Sequence, residues 1–177
     1  MDEAAAIKAM IRAAFAGVEY PGDWCLRGSS EGEEPLLLER EFKGKTDWGS
    51  LDADFLDKAP AGHGSALSFF SDEALRFYLP AYLVADLDGR LERQDPVFHL
   101  THGLTNGAQR ERVNPRRYGE RTWFEASAYR FSVFNPEQCK AIVRYLRFKL
   151  ETDQSGFDKS QIEEALRNYW EARAGKQ

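Results

Sequence analysis

Between Leu67 and Leu87 the sequence LSFFSDEALRFYLPAYLVADL is apolar on nearly every side of a helical wheel, with five aromatics and an interior proline. A helix lying on the surface of a globular protein shows one apolar stripe, so this pattern predicts a central, buried helix over Ser71–Leu87. Ser71 is its cap, and Asp72 and Glu73 occupy the first turn, where negative charge is favoured. Asp72 and Arg76 stand four apart and can pair. Pro80 lacks the N–H that would reach the carbonyl of Arg76, so a kink or break is expected near that turn.

Two further stretches carry helical periodicity. Near the start, Ile7, Met10, Ile11, Ala14 and Phe15 repeat at helical spacing behind Asp2 and Glu3, and Gly17 is a natural stop. Near the end, Asn135 caps, Pro136 takes the first helical position and Gln138 follows at capping-box spacing. Cys139, Ile142, Val143, Leu146 and Leu150 form the apolar stripe of that helix. After Gly156, Ser160 and Glu163 repeat the capping-box spacing, and Ile162, Leu166, Tyr169 and Trp170 make the inner face of a last helix.

Elsewhere the pattern is weaker. Tyr20-Pro21-Gly22-Asp23 reads as a turn and Gly28 to Gly32 as a polar loop. Pro35 to Phe42 is either a short helix or a strand, ended by Gly44. Ser50 is a candidate cap for a short helix to Asp57 with Leu51, Phe55 and Leu56 inward, and Ala59 to Gly64 is a connector. Val97–Thr101 and Trp123–Phe134 hold alternating patches that strands would also show. The fold expected is therefore mainly α: one compact helical domain over residues 1–177, gathered around the central helix at 71–87. A small β element is allowed between 90 and 134.

Composition narrows the class without naming a task. A chain of 177 residues suits one domain and can bury a sizeable core, and its 12 Phe, 7 Tyr and 4 Trp supply large side chains for it. No run approaches the ~18 apolar residues of a membrane-spanning helix, and the N-terminus lacks the basic-then-apolar order of a secretory signal. A cytoplasmic, soluble protein is expected, and Cys25 and Cys139, far apart and without CxxC spacing, are expected as free thiols. The net charge of −5 argues against a nucleic-acid coat.

Several segments together are familiar: Tyr20-Pro21-Gly22-Asp23, Phe42-Lys43-Gly44-Lys45 before Trp48, Leu67-Ser68-Phe69-Phe70-Ser71, Leu79-Pro80-Ala81-Tyr82-Leu83, and Gln138 ahead of Ala141-Ile142. The combination resembles an uncharacterised family of small bacterial proteins known only as a domain of unknown function. The resemblance implies a bacterial, soluble, single-domain protein. It implies no activity, cofactor or catalytic residue.

Candidate chemistry is sparse. His99 and His102 have the i, i+3 spacing that lets two imidazoles share a helix face, but zinc needs three or four ligands and no HExxH glutamate or nearby cysteine is present. No GxSxG elbow accompanies Ser65 and Ser68 near His63, and no glycine run fits a phosphate loop. Cys139 heads an apolar stripe, which favours packing over reactivity, and Glu39, Glu41 and Asp47 are an acid/base pair only if folding joins them. No cofactor or metal is implied.

The strongest charge bias lies at Arg110, Arg112, Arg116, Arg117 and Arg121, opposed by Glu111 and Glu120. Lys140, Arg144 and Arg147 line the polar face of the helix after Asn135, and would extend the basic surface if folding places them beside the arginines. A non-enzymatic module binding an acidic protein partner is the leading expectation. The alternatives are an enzyme using His63, His99 or His102 with a carboxylate brought near by folding, and a self-associating structural protein. Nucleic-acid binding, through Tyr118 stacking beside the arginines, is disfavoured.

Overall fold

Ser71 accepts a hydrogen bond from the Ala74 amide at 3.0 Å and opens the helix that organises the first half of the chain. The computed structural model describes residues 2–62 and 64–175 and divides into two compact units, Met1–Pro96 and Val97–Gln177. Both are built from helices. Among the described residues there is no sheet, only the isolated antiparallel bridges Arg27–Phe70 and Arg112–Thr122.

In the first unit, α1 (Glu3–Phe15) is capped by Asp2, which accepts from the Ala4 amide, and it buries Ile7, Ile11 and Phe15. Met10, expected in that stripe, is exposed instead. The stretch with two readings is a helix, α2 (Glu34–Phe42), with Pro35 in its first turn, where a missing N–H costs nothing. A 3-10 turn (Trp48–Ser50) precedes α3 (Ala53–Lys58), so Ser50 closes that turn and does not cap the helix. The short α4 (Ala66–Phe69) leads into α5 (Asp72–Leu87).

Helix α5 runs unbroken through Pro80 and buries Ala74, Leu75, Phe77–Leu83 and Ala85. Helix α1 packs against it. Phe42 sits at the centre of the aromatic core, with ring centroids 5.0 Å from Phe55, 4.9 Å from Phe70 and 4.9 Å from Tyr78. These edge-on and tilted pairings add to what burial alone contributes.

Polar groups pin this core at its rim. Tyr78 donates to the Lys45 carbonyl at 2.7 Å, and Tyr20 donates to Asp23, whose carboxylate also accepts from the Gly44 amide at 2.9 Å. Burial, then the Asp23 charge, pushes the Tyr20 hydroxyl up to about 12, while the same hydrogen bond holds Asp23 below the usual carboxylate range. The turn at Tyr20–Asp23 and the turn at Lys43–Lys45 are thus tied to the central helix. Two segments that carried the resemblance, Tyr20–Asp23 and Phe42–Lys45, meet here.

The second unit begins at the boundary with α6 (Pro96–Thr101) and a 3-10 turn (His102–Leu104), then α7 (Pro115–Tyr118) and α8 (Trp123–Phe131). The alternating patches at 97–101 and 123–131 are therefore helical. The capping box at Asn135 and Gln138 opens α9 (Pro136–Thr152), which buries Cys139, Ile142, Val143 and Leu146. The last helix starts as α10 (Lys159–Ala165), one residue ahead of Ser160, so no Ser160 capping box forms. A π-turn (Leu166–Trp170) continues it into α11 (Glu171–Ala174), which packs on α9.

The extra residue per turn of a π segment lets the neighbours Tyr169 and Trp170 both face inward. Trp170 is fully buried, donates its indole N–H to the Leu100 carbonyl at 2.9 Å, and lies 5.0 Å from Phe131 and 5.1 Å from Tyr169 between ring centroids. It is to the second unit what Phe42 is to the first.

Candidate functional site

The arginine-rich stretch is an ordered excursion, not a slack connection. Its neck is stitched by backbone hydrogen bonds: Phe124 N–H to the Ala108 carbonyl at 3.1 Å, Trp123 N–H to Glu111 at 2.9 Å, and Val113 N–H to Arg121 at 3.0 Å. The Arg112–Thr122 bridge lies between them. At the tip, Asn114 accepts from the amides of Arg116 and Arg117 at 3.2 and 3.3 Å, which starts α7. Gly119, at φ +62° and ψ −127°, reverses the chain in a conformation that residues with a Cβ rarely adopt.

Helix α8 anchors the returning strand of chain. Thr122 and Glu125 form a reciprocal capping box at its start. Close packing on the turn His102–Leu104 depends on Gly103, where a Cβ would lie 2.0 Å from the Ser127 hydroxyl. The excursion is therefore held at both its neck and its exit.

Every arginine on the excursion is exposed. Arg112 pairs with Glu120. Arg117 lies over the Tyr118 ring at 5.3 Å and Arg121 over the Tyr129 ring at 5.5 Å, both within cation–π range. Arg110 and Arg116 have no side-chain hydrogen bond or ion pair among the described residues. Tyr118 and Trp123 are exposed beside them, and Tyr129 is 69% exposed. Tyr129 and Trp123 were not singled out in the sequence as members of this surface. The only signal was an aromatic at helical spacing on α8, which a core would also show.

The α9 cations are differently employed. Lys140 reaches Glu137 at 2.7 Å and Arg147 reaches Glu171 at 2.9 Å, so local carboxylates offset both charges. No hydrogen bond or ion pair links Lys140 or Arg147 to the excursion among the described residues. Arg144 is half-buried.

His99 and His102 do share a face, with ring centroids 6.3 Å apart and planes at 90°. His102 stacks on Phe98 at 4.3 Å, and its Nδ1 donates to the Phe98 carbonyl at 2.9 Å. Burial, helped by His102 and Arg130, pulls His99 down to about 4, so it is neutral near pH 7. No carboxylate hydrogen-bonds either ring among the described residues, nor is there a group of three or more side chains there able to hold a metal ion. His63 lies outside the described residues.

The remaining candidates have structural employment. Cys139 is buried with its thiol pushed up by burial, and Cys25 is half-buried near Ser71 and Glu73. Glu39 pairs with Arg27 at 2.5 Å, Glu41 accepts from the Ala61 amide at 3.1 Å, and Asp47 caps the turn at Trp48 by accepting from Gly49. No helix among the described residues is long and apolar enough to cross a membrane.

What these observations define is a mainly helical protein with an ordered, exposed arginine-rich excursion. Residues 3–174 match the model of a family of unknown function, DUF6714, and the chain belongs to that family. No curated protein and no solved structure matches it.

Proposed function

We propose that this protein is a non-enzymatic binding module that docks an acidic segment of a protein partner on the excursion between Ala108 and Phe124. The observation that carries the reading is the order of that excursion. Five arginines, two of them over tyrosine rings, stand on a loop closed by its own backbone hydrogen bonds. Ordering a loop and its side chains before binding removes part of the entropy that association otherwise costs. Arginine and tyrosine are also the residue types that interfaces concentrate, because both bring contact area and directional polar groups.

Charge decides the kind of partner. The chain as a whole carries −5, so an extended polyanion is repelled beyond the excursion, while a short acidic segment meets only the locally positive zone. Arg110 and Arg116, with no carboxylate partner among the described residues, are the donors that such a segment would engage.

The test is a titration of the intact chain with a labelled Glu- and Asp-rich peptide and, separately, a single-stranded oligonucleotide of equal charge. The peptide is expected to bind, to weaken steeply with salt, and to lose at least about tenfold in affinity in Arg116→Glu/Arg117→Glu. Capture of a partner from lysate should weaken in the same variant and in one that adds Arg144→Glu. Unchanged binding in the double variant eliminates this surface, and tighter binding of the oligonucleotide replaces the partner class.

A further inference from the structure

The first unit holds a cleft of about 220 Å³ lined by Arg12, Trp48, Leu51, Asp52, Leu56 and Arg90, with Ala81, Val84 and Ala85 of α5 at its floor. We infer that this cleft binds a small organic anion with a flat apolar body, an aromatic carboxylate being the simplest member of the class. The inference is independent of the arginine excursion, which belongs to the other unit.

Space comes from small side chains. Ala81 and Ala85 lie one turn apart on α5, Val84 stands beside them, and Ala53 of α3 also opens onto the cleft. Ala53, Ala81 and Ala85 are buried among their neighbours, and Leu56 is almost fully so, which makes the floor apolar and fixed. Trp48 is held at the edge by a 3-10 turn that packs on α5, and Asp47 pins that turn through the Gly49 amide at 2.9 Å. A volume of about 220 Å³ falls below the ~300–1,000 Å³ of drug-sized sites, so the occupant is a ring with one polar group.

Charge sets the sign of that group. Asp88 is already paired with Lys8. Asp52 meets Arg90 only at 3.4 Å, with both side chains about 60% exposed (59% and 63%), a pairing that an incoming carboxylate can exchange at little cost. Arg12, in the last turn of α1, has no side-chain hydrogen bond or ion pair among the described residues. Of the charged lining residues, Asp88 is turned to Lys8 outside the lining and Asp52 to Arg90, which leaves Arg12 as the lining cation with no carboxylate partner among the described residues. Guanidinium suits the task, since its planar fork both grips a carboxylate and lies flat against rings.

The experiment titrates the isotope-labelled full chain with phenylacetate, benzyl alcohol and acetate while following backbone amide shifts. Phenylacetate should saturate, with shifts centred on residues 48–56 and 81–90 and on Arg12. Benzyl alcohol, which lacks the charge, and acetate, which lacks the ring, should each bind at least about tenfold more weakly. Arg12→Gln, at an exposed position, should weaken phenylacetate about tenfold and benzyl alcohol much less. Ala85→Leu should fill the floor and abolish binding. Should that variant misfold, Arg12→Gln and Arg90→Gln decide alone. Absence of saturation by phenylacetate, equal affinity for the neutral probe, or an Arg12→Gln variant that binds phenylacetate as well as the parent overturns the inference.

Discussion

The helix Asp72–Leu87 and the excursion between Ala108 and Phe124 are both ordered, by opposite means. The helix is surrounded: its aromatic side chains interlock with Phe42 and Phe70, and its order comes from apolar area removed from water. The excursion is bare: its arginine side chains are exposed, and its order comes chiefly from backbone hydrogen bonds at the neck and an asparagine cap at the tip. A buried element tolerates little change because every neighbour feels it. An element held mainly by its backbone and its caps puts less packing constraint on its exposed side chains. The contrast locates stability in the helix and leaves the excursion as the surface proposed for recognition.

The sharpest way to break that contrast is to cut the core. Phe42→Ala removes a fully buried ring from between Phe55, Phe70 and Tyr78. It should cost about 3–5 kcal/mol, a large share of a typical domain's stability. Tyr118→Ala on the excursion should stay within about 0.5 kcal/mol. Chemical denaturation of both variants makes the comparison. Similar midpoints would show that the excursion is part of the cooperative core after all.

A smaller effect is expected where a charge does the work of packing. Asp57, 7% exposed, accepts on one carboxylate oxygen from the amides of Glu92, Arg93 and Gln94 at 2.9, 2.8 and 3.1 Å. Gln94 in turn donates to the Asp57 carbonyl at 3.1 Å and accepts from Ser65 at 2.6 Å. Burial pushes the carboxyl up, but the three amides together outweigh it and hold it below its ordinary value. Asp57→Ala should lose about 2 kcal/mol by leaving those donors without their acceptor.

The pH dependence has a definite sign. A carboxylate with a depressed folded pKa stabilises fully above its unfolded value of 3.8 and stops doing so as pH falls through the folded value. The advantage of the parent over Asp57→Asn should therefore be constant near neutrality and shrink only in that acidic window. A difference that vanished instead between pH 6 and 8 would point to another group.

These two regions were not equally legible in the sequence. Helices α1, α5 and α9 announced themselves because caps and apolar periodicity are local: Asp2, Ser71 and the Asn135–Gln138 box each lie within a turn of what they cap. Asp57 was read only as the end of a short helix, since the amides it holds lie 35 to 37 residues away. The helices at 96–101 and 123–131 have 6 and 9 residues, about two turns each, too short for a 3.6-residue period to be told from alternation. The π-turn that turns both Tyr169 and Trp170 inward answers to packing around Leu100 and Phe131, and no local signal marks it. The arginines were visible as composition. Their order was not, because it depends on hydrogen bonds that close across the excursion from Ala108 to Phe124.

The smallest predicted effect sharpens the same contrast most finely. Asn114→Ala deletes the side-chain acceptor for the amides of Arg116 and Arg117, while the Arg117 amide keeps the Asn114 carbonyl at 3.0 Å and the neck hydrogen bonds stay intact. A cap of this kind contributes roughly 1 kcal/mol to the helix it starts. Here that helix is a single exposed turn, Pro115–Tyr118, so the loss should be felt locally, as faster amide exchange at Arg116, Arg117 and Tyr118 with the global unfolding midpoint nearly unmoved. Local opening also raises the entropy that binding must remove, so affinity for the acidic peptide should fall severalfold although no positive charge has been touched. Loss of affinity without loss of charge would separate preorganisation from electrostatics. Full affinity in Asn114→Ala would mean that charge alone recruits the partner and that the ordered tip is incidental to recognition.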